Sequence, residues 1–118
     1  MFLLSLTHVL FFAPPLFYIG LTRGQTPQWV FKALLFVGLL ILLYHAARLV
    51  QTGSYINMIH VFLIAPLLIA IGWKARNSPR SLYELLLMIT FAMVGWHTLN
   101  MVRLLDLHSE MANHLSEL

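Results

Sequence analysis

Four histidines, His8, His45, His60 and His97, are the residues of this sequence best suited to chemistry. Imidazole is the commonest side-chain ligand for transition metals, and it is the group that exchanges protons near neutral pH. Their spacing ties the four together. His8 lies 17 residues before Gln25 and His45 lies 20 after it; His60 lies 17 before Asn77 and His97 lies 20 after it. If Gln25 and Asn77 mark the turns of two helical hairpins, a rise of about 1.5 Å per residue puts the members of each pair within ~5 Å of one depth. Each of four helices then carries one histidine at a common level.

The neighbours of these histidines extend a polar layer. Arg48 follows His45 by three residues, Asn100 follows His97 by three, and Asn57 precedes His60 by three. Residues three apart share a helix face. Ionisable groups inside an apolar bundle face its interior and find partners there. His8, His45, Arg48, Asn57, His60, His97 and Asn100 are therefore expected to form one layer near one end of the bundle.

The spacing comes from an internal duplication. His8-Val9-Leu10-Phe11-Phe12-Ala13-Pro14-Pro15-Leu16-Phe17-Tyr18-Ile19-Gly20 returns 52 residues later as His60-Val61-Phe62-Leu63-Ile64-Ala65-Pro66-Leu67-Leu68-Ile69-Ala70-Ile71-Gly72. Without gaps, residues 3–50 and 55–102 share twelve identities in 48 positions, Pro27 with Pro79 and His45 with His97 among them. The chain is one unit written twice.

The elements that position the layer follow from composition. The chain has 118 residues, 60% of them hydrophobic and 9% charged. Soluble domains average roughly 45–50% apolar and about 25% charged residues. A bilayer accommodates such a chain, and its apolar runs are long enough to cross ~30 Å of hydrocarbon. The expected fold is an all-α integral membrane four-helix bundle of two tandem hairpins. Residues 1–54 form the first hairpin, with spans over Phe2–Leu21 and Trp29–Val50. Residues 55–105 form the second, with spans over Tyr55–Trp73 and Leu82–Leu105. Residues 106–118 form a short amphipathic or frayed tail. Because both hairpins enter from the same side, a pseudo-two-fold axis along the membrane normal relates them as parallel repeats.

The polar turns are Thr22–Gln28 and Lys74–Arg80. Thr26 and Ser78 are expected to cap the following helices, with Pro27 and Pro79 in their first turns. Arg23, Lys32, Lys74, Arg76 and Arg80 flank these turns, whereas Arg48 and Arg103 lie toward the other face. The positive-inside rule then places the turns in the cytoplasm and both termini outside. Trp29, Trp73 and Tyr83 are placed for an interfacial belt. Glu84, the only acid in a span, is expected to pair with Lys32 or Arg80. Pro14, Pro15 and Pro66 free carbonyls near Leu10, Phe11 and Phe62, giving a packing kink shared by the repeats or polar groups lining a cavity.

Three roles suit a four-histidine layer. It could bind a transition metal, or haem iron held axially across the bundle, with Gly38 and Gly95 leaving room for a flat macrocycle. It could specify how the hairpins dock, as in an assembly or accessory subunit of a larger membrane complex or homo-oligomer. It could pass protons or cations, although the other half of the bundle is Leu, Ile, Val, Phe and Met with Thr90 nearly alone. No catalytic triad, paired carboxylates, phosphate loop or zinc-protease motif is present, so no enzyme is expected. No basic run with interleaved aromatics suggests nucleic acid. The absence of cysteine removes disulfides and thiolate sites. His108 and His114, in the tail, are expected on a solvated face.

The pattern His-Val-x-x-x-Ala-Pro-x-Leu-x-x-Ile-Gly, with Tyr44-His45 or Trp96-His97 late in the following helix, resembles small multi-pass membrane proteins of large algal DNA viruses. The resemblance spans roughly residues 3–102. It implies a host or virion membrane, and it carries no cofactor or activity.

Overall fold

In the computed structural model, which describes residues 1–118, the chain folds into four helices. They are α1 (Phe2–Gln25), α2 (Gln28–Thr52), α3 (Tyr55–Asn77) and α4 (Arg80–Ser116), each long and apolar enough to cross a membrane. Only 17 of 118 residues are buried, while Phe11, Phe36, Phe62 and Phe91 are exposed along the spans. That pattern is costly in water and suits lipid, where apolar side chains need no cover.

Of 98 backbone hydrogen bonds, 88 are made within the helices, as spanning segments require. Short turns join α1 to α2 and α3 to α4. The two turns meet at one end of the bundle, where a Cβ on Gly24 would stand 3.5 Å from the Arg76 carbonyl. At the same place in each turn the backbone takes a positive φ, 51° at Arg23 and 49° at Ala75. Neither residue is glycine, so each turn stores strain that its surroundings must hold.

The turn residues differ from expectation. Helices α2 and α4 start after Pro27 and Pro79, and no side chain caps either helix. Thr26 and Ser78 instead turn inward and are buried. The Thr26 hydroxyl meets that of Thr22 at 2.6 Å, and Ser78 Oγ donates to the Ile71 carbonyl at 3.4 Å. Ser78 thus satisfies a carbonyl of the preceding helix and Thr26 bonds a side chain of it, and neither serves the start of the next. Tyr83 is likewise no belt residue: it is buried, and its hydroxyl donates to the Ala75 carbonyl at 2.9 Å. Trp29 and Trp73 are exposed, as expected of a belt. Glu84 pairs with Arg80 at 2.6 Å.

The major packing runs between the repeats. α2 packs on α3, and α1 packs on α4. Copied glycines permit both contacts. A Cβ on Gly72 would lie 2.6 Å from the backbone nitrogen of Leu35; a Cβ on Gly20 would lie 2.6 Å from Cδ2 of Leu87. Gly20 and Gly72 are repeat mates, and so are Leu35 and Leu87. Each glycine lets the partner helix approach closely, which drives helix association in lipid. The apolar core, Ile19, Phe31, Leu34, Leu67, Leu68, Ile71, Tyr83 and Leu86, fills the half of the bundle nearest the turns.

The prolines act on the other half. One π-helical turn spans His8–Phe12 and another His60–Ile64, each just before its Ala-Pro step. Proline cannot donate to the carbonyl four residues back and its ring presses on it. The helix relieves this by widening: the Ala13 amide donates to the His8 carbonyl, and Ala65 to His60. The histidines thus stand at the start of the two wide turns.

α4 does not end near Leu105. It continues as one helix of 37 residues to Ser116. No glycine or proline interrupts residues 106–116, so nothing breaks the helix. This extension, with His108 and His114, is exposed throughout and adds about 16 Å of helix to a molecule 63 Å long.

Candidate functional site: two stacked histidine pairs

Helix geometry brings the four histidines to one end of the bundle as two pairs. His45 of α2 stacks on His60 of α3, with ring centroids 4.0 Å apart and planes 16° from parallel. His8 of α1 stacks on His97 of α4 at 4.3 Å and 20°. The pairs are repeat mates of each other. Each joins one repeat to the other, along the same helix contacts that Gly72 and Gly20 permit. Both pairs stand at matching positions of the two repeats, at the same end of the bundle, so they form one layer. All four rings are half-buried.

Every Nδ1 has an oxygen partner. His8 Nδ1 lies 2.8 Å from the Leu4 carbonyl and His60 Nδ1 lies 2.7 Å from that of Ile56. Both carbonyls belong to the preceding turn of the same helix and can only accept, so these two rings carry their proton on Nδ1. His45 Nδ1 lies 2.8 Å from Asn57 Oδ1, and His97 Nδ1 lies 3.2 Å from Ser5 Oγ. Asn57 and Ser5 are again repeat mates. The Asn57 amide donates in turn to Thr52 Oγ1 at 3.2 Å. No Nε2 takes part in a hydrogen bond, and none is fully enclosed.

The other expected members of the layer divide. Asn57 joins it, but through His45 rather than through His60 on its own helix. Arg48 is exposed and reaches Gln51 Oε1 at 3.4 Å. Asn100 is half-buried and lines a cleft farther out with Arg103. Ser5 is one of the few buried polar residues, and its place as the repeat mate of Asn57 was the available sequence signal for it.

This geometry limits the chemistry. No three histidine or acidic side chains converge where a metal ion could sit. Within one pair, the Nε2 lone pairs lie in nearly parallel ring planes and cannot both point at an ion between them. The room expected for a macrocycle at Gly38 is filled: a Cβ there would lie 3.0 Å from Ile69 and 3.1 Å from Leu68. Gly95 faces open space. Toward the turns, Thr90 is fully buried and gives its hydroxyl to the Leu86 carbonyl of its own helix, so it lines no polar path.

No protein family, curated protein or solved structure matches the chain.

Proposed function

We propose that this chain is a small membrane assembly or accessory subunit, in which the histidine layer locks the two repeats together and offers free imidazole nitrogens to a partner. The carrying observation is the pairing. Each stack joins helices of different repeats, and each Nδ1 is held by a fixed oxygen. In lipid, interhelical polar contacts contribute about 0.6 kcal/mol on average, yet they fix register where apolar surfaces alone do not. The bundle needs such a device at this end, because its apolar core lies at the other. The reading includes no enzymatic step. The basic residues at the turns favour a cytoplasmic placement for them.

A second reading is favoured by the open Nε2 atoms. A ring whose Nδ1–H is anchored to oxygen is fixed in the tautomer and orientation that leave the Nε2 lone pair for a metal. One ring from each pair could bind a transition ion, with the remaining ligands supplied by a second chain or partner. Haem iron is the less favoured ion, given the packing at Gly38, and a proton or cation path gains no support from the apolar half.

Absorption spectroscopy and metal analysis of the purified chain separate the readings. The assembly reading expects no Soret band, no stoichiometric metal, and loss of thermal stability in His45→Ala and His97→Ala. Bound metal that both substitutions release would establish ligation instead.

A further inference from the structure

The duplication supplies an internal control at the outer end of the bundle. Arg48 and Asn100 are repeat mates, each three residues beyond a layer histidine. At Arg48 the chain answers its own polar groups. Helix α2 stops at Thr52, Gly53 turns the backbone with φ 62°, and Gln51 Oε1 accepts from Arg48. Thr52 Oγ1 accepts from the Asn57 amide. At Asn100 nothing equivalent exists, because α4 runs straight on. The Asn100 amide and the Arg103 guanidinium make no hydrogen bond, and Arg103 makes no ion pair with Asp106 one turn later: the only ion pair in the molecule is Arg80–Glu84.

These two unused donors share one face of α4 with Trp96 and border a cleft of about 250 Å³. Ile56, Leu104 and Met1 complete its wall. The Trp96 indole lies deeper than both donors, Ile56 lies between Asn100 and Arg103 in depth, and Leu104 and Met1 stand at the outer rim. Arg103 is six residues beyond His97, about 9 Å along the helix axis. An occupant that meets both donors and the indole brings acceptor oxygens at its outer end and an apolar part at Ile56 and Trp96.

We propose that this cleft binds an anionic phospholipid, with its phosphate oxygens at Arg103 and Asn100 and its glycerol and upper acyl region against Ile56 and Trp96. Guanidinium is suited to phosphate because its planar donors meet two oxygens at once. Arg103 stands where the first repeat has Gln51, so the second repeat holds a donor in place of that acceptor oxygen, and the lipid supplies the oxygen instead. The site does not depend on what the histidine layer binds.

Native mass spectrometry of the full chain in detergent tests this, with phosphatidylglycerol, phosphatidylcholine or inorganic phosphate added. The expected result is one phosphatidylglycerol retained in preference to phosphatidylcholine. Retention falls roughly fivefold in Arg103→Gln, one cation's share against an anionic lipid, and also falls in Asn100→Leu. Arg48→Gln leaves it unchanged, which separates this site from general attraction to the basic turns. Because Arg103 is exposed, its substitution does not threaten the fold. Equal retention by Arg103→Gln and the parent chain overturns the proposal. So does equal loss in Arg48→Gln, or displacement of the lipid by inorganic phosphate alone, which assigns the cleft to a small anion.

Discussion

The α2·α3 and α1·α4 contacts are built from the same duplicated residues, and they are not equally tight. At α2·α3 the copied glycine meets backbone, the stacked rings are 4.0 Å apart, and Asn57 holds His45 at 2.8 Å with Thr52 behind it. At α1·α4 the glycine meets the end of a leucine side chain, the rings are 4.3 Å apart, and Ser5 holds His97 at 3.2 Å with no further partner. The difference lies in connectivity. Two residues, Gly53 and Ser54, join α2 to α3, so closing that contact costs little loop entropy. α1 and α4 are the two ends of the chain and meet across 92 residues, as His97 and Ser5 do. Duplication supplied one interface twice, and the short link allowed one copy to become better satisfied.

Substitutions at the two glycines test that inequality most strongly. Gly72→Ala sets a methyl group against the Leu35 backbone, which has no rotamer to yield, and is expected to cost about 3 kcal/mol. Gly20→Ala meets Leu87, whose side chain can swing aside, and is expected to cost about 1 kcal/mol. Unfolding in detergent by heat or denaturant reads both. Equal losses would show the interfaces to be equivalent.

The histidine anchors give a smaller version of the same contrast. Asn57→Leu strips the Nδ1 partner from His45 and is expected to cost about 1.5 kcal/mol, near the upper end for a polar contact between membrane helices. Ser5→Ala removes a longer bond and is expected to cost about 0.5 kcal/mol. The reverse order would place the firmer clasp at the chain ends.

The turns should show no contrast. Arg23 and Ala75 share a strained conformation, so Arg23→Gly and Ala75→Gly are each expected to add about 1 kcal/mol of stability. Unequal gains would extend the asymmetry to the turn end.

Much of this architecture was legible in the sequence, because it rests on hydropathy and on copying. The four spans, the two turns, the basic cluster around them and a histidine in every helix all follow from position alone. The partner choice does not. In lipid no apolar face is preferred for its hydrophobicity, so small residues decide which helices meet. Gly20 and Gly72 are plain in the aligned repeats, yet only three dimensions reveal that they receive Leu87 and Leu35. Gly38 read as open space and is a packing contact. Asn57, three residues before His60, belongs by helical spacing to His60, but the helix crossing gives it to His45. Thr26 and Ser78 have the right identity for caps, and the strained turn sends them inward. The wide turns at His8 and His60 come from the prolines, whose effect was legible as freed carbonyls but not as a change of helical form. The tail read as separate because its composition changes at Asp106, although no residue there stops a helix.

The absence of cysteine makes the central claim directly measurable. Cysteines placed in pairs at the histidine positions report which rings are neighbours through the rate of disulfide formation in membranes. The account predicts rapid cross-linking of positions 8 with 97 and 45 with 60, and slow cross-linking of 8 with 45 and 60 with 97. Faster linkage within each repeat than between repeats would contradict it.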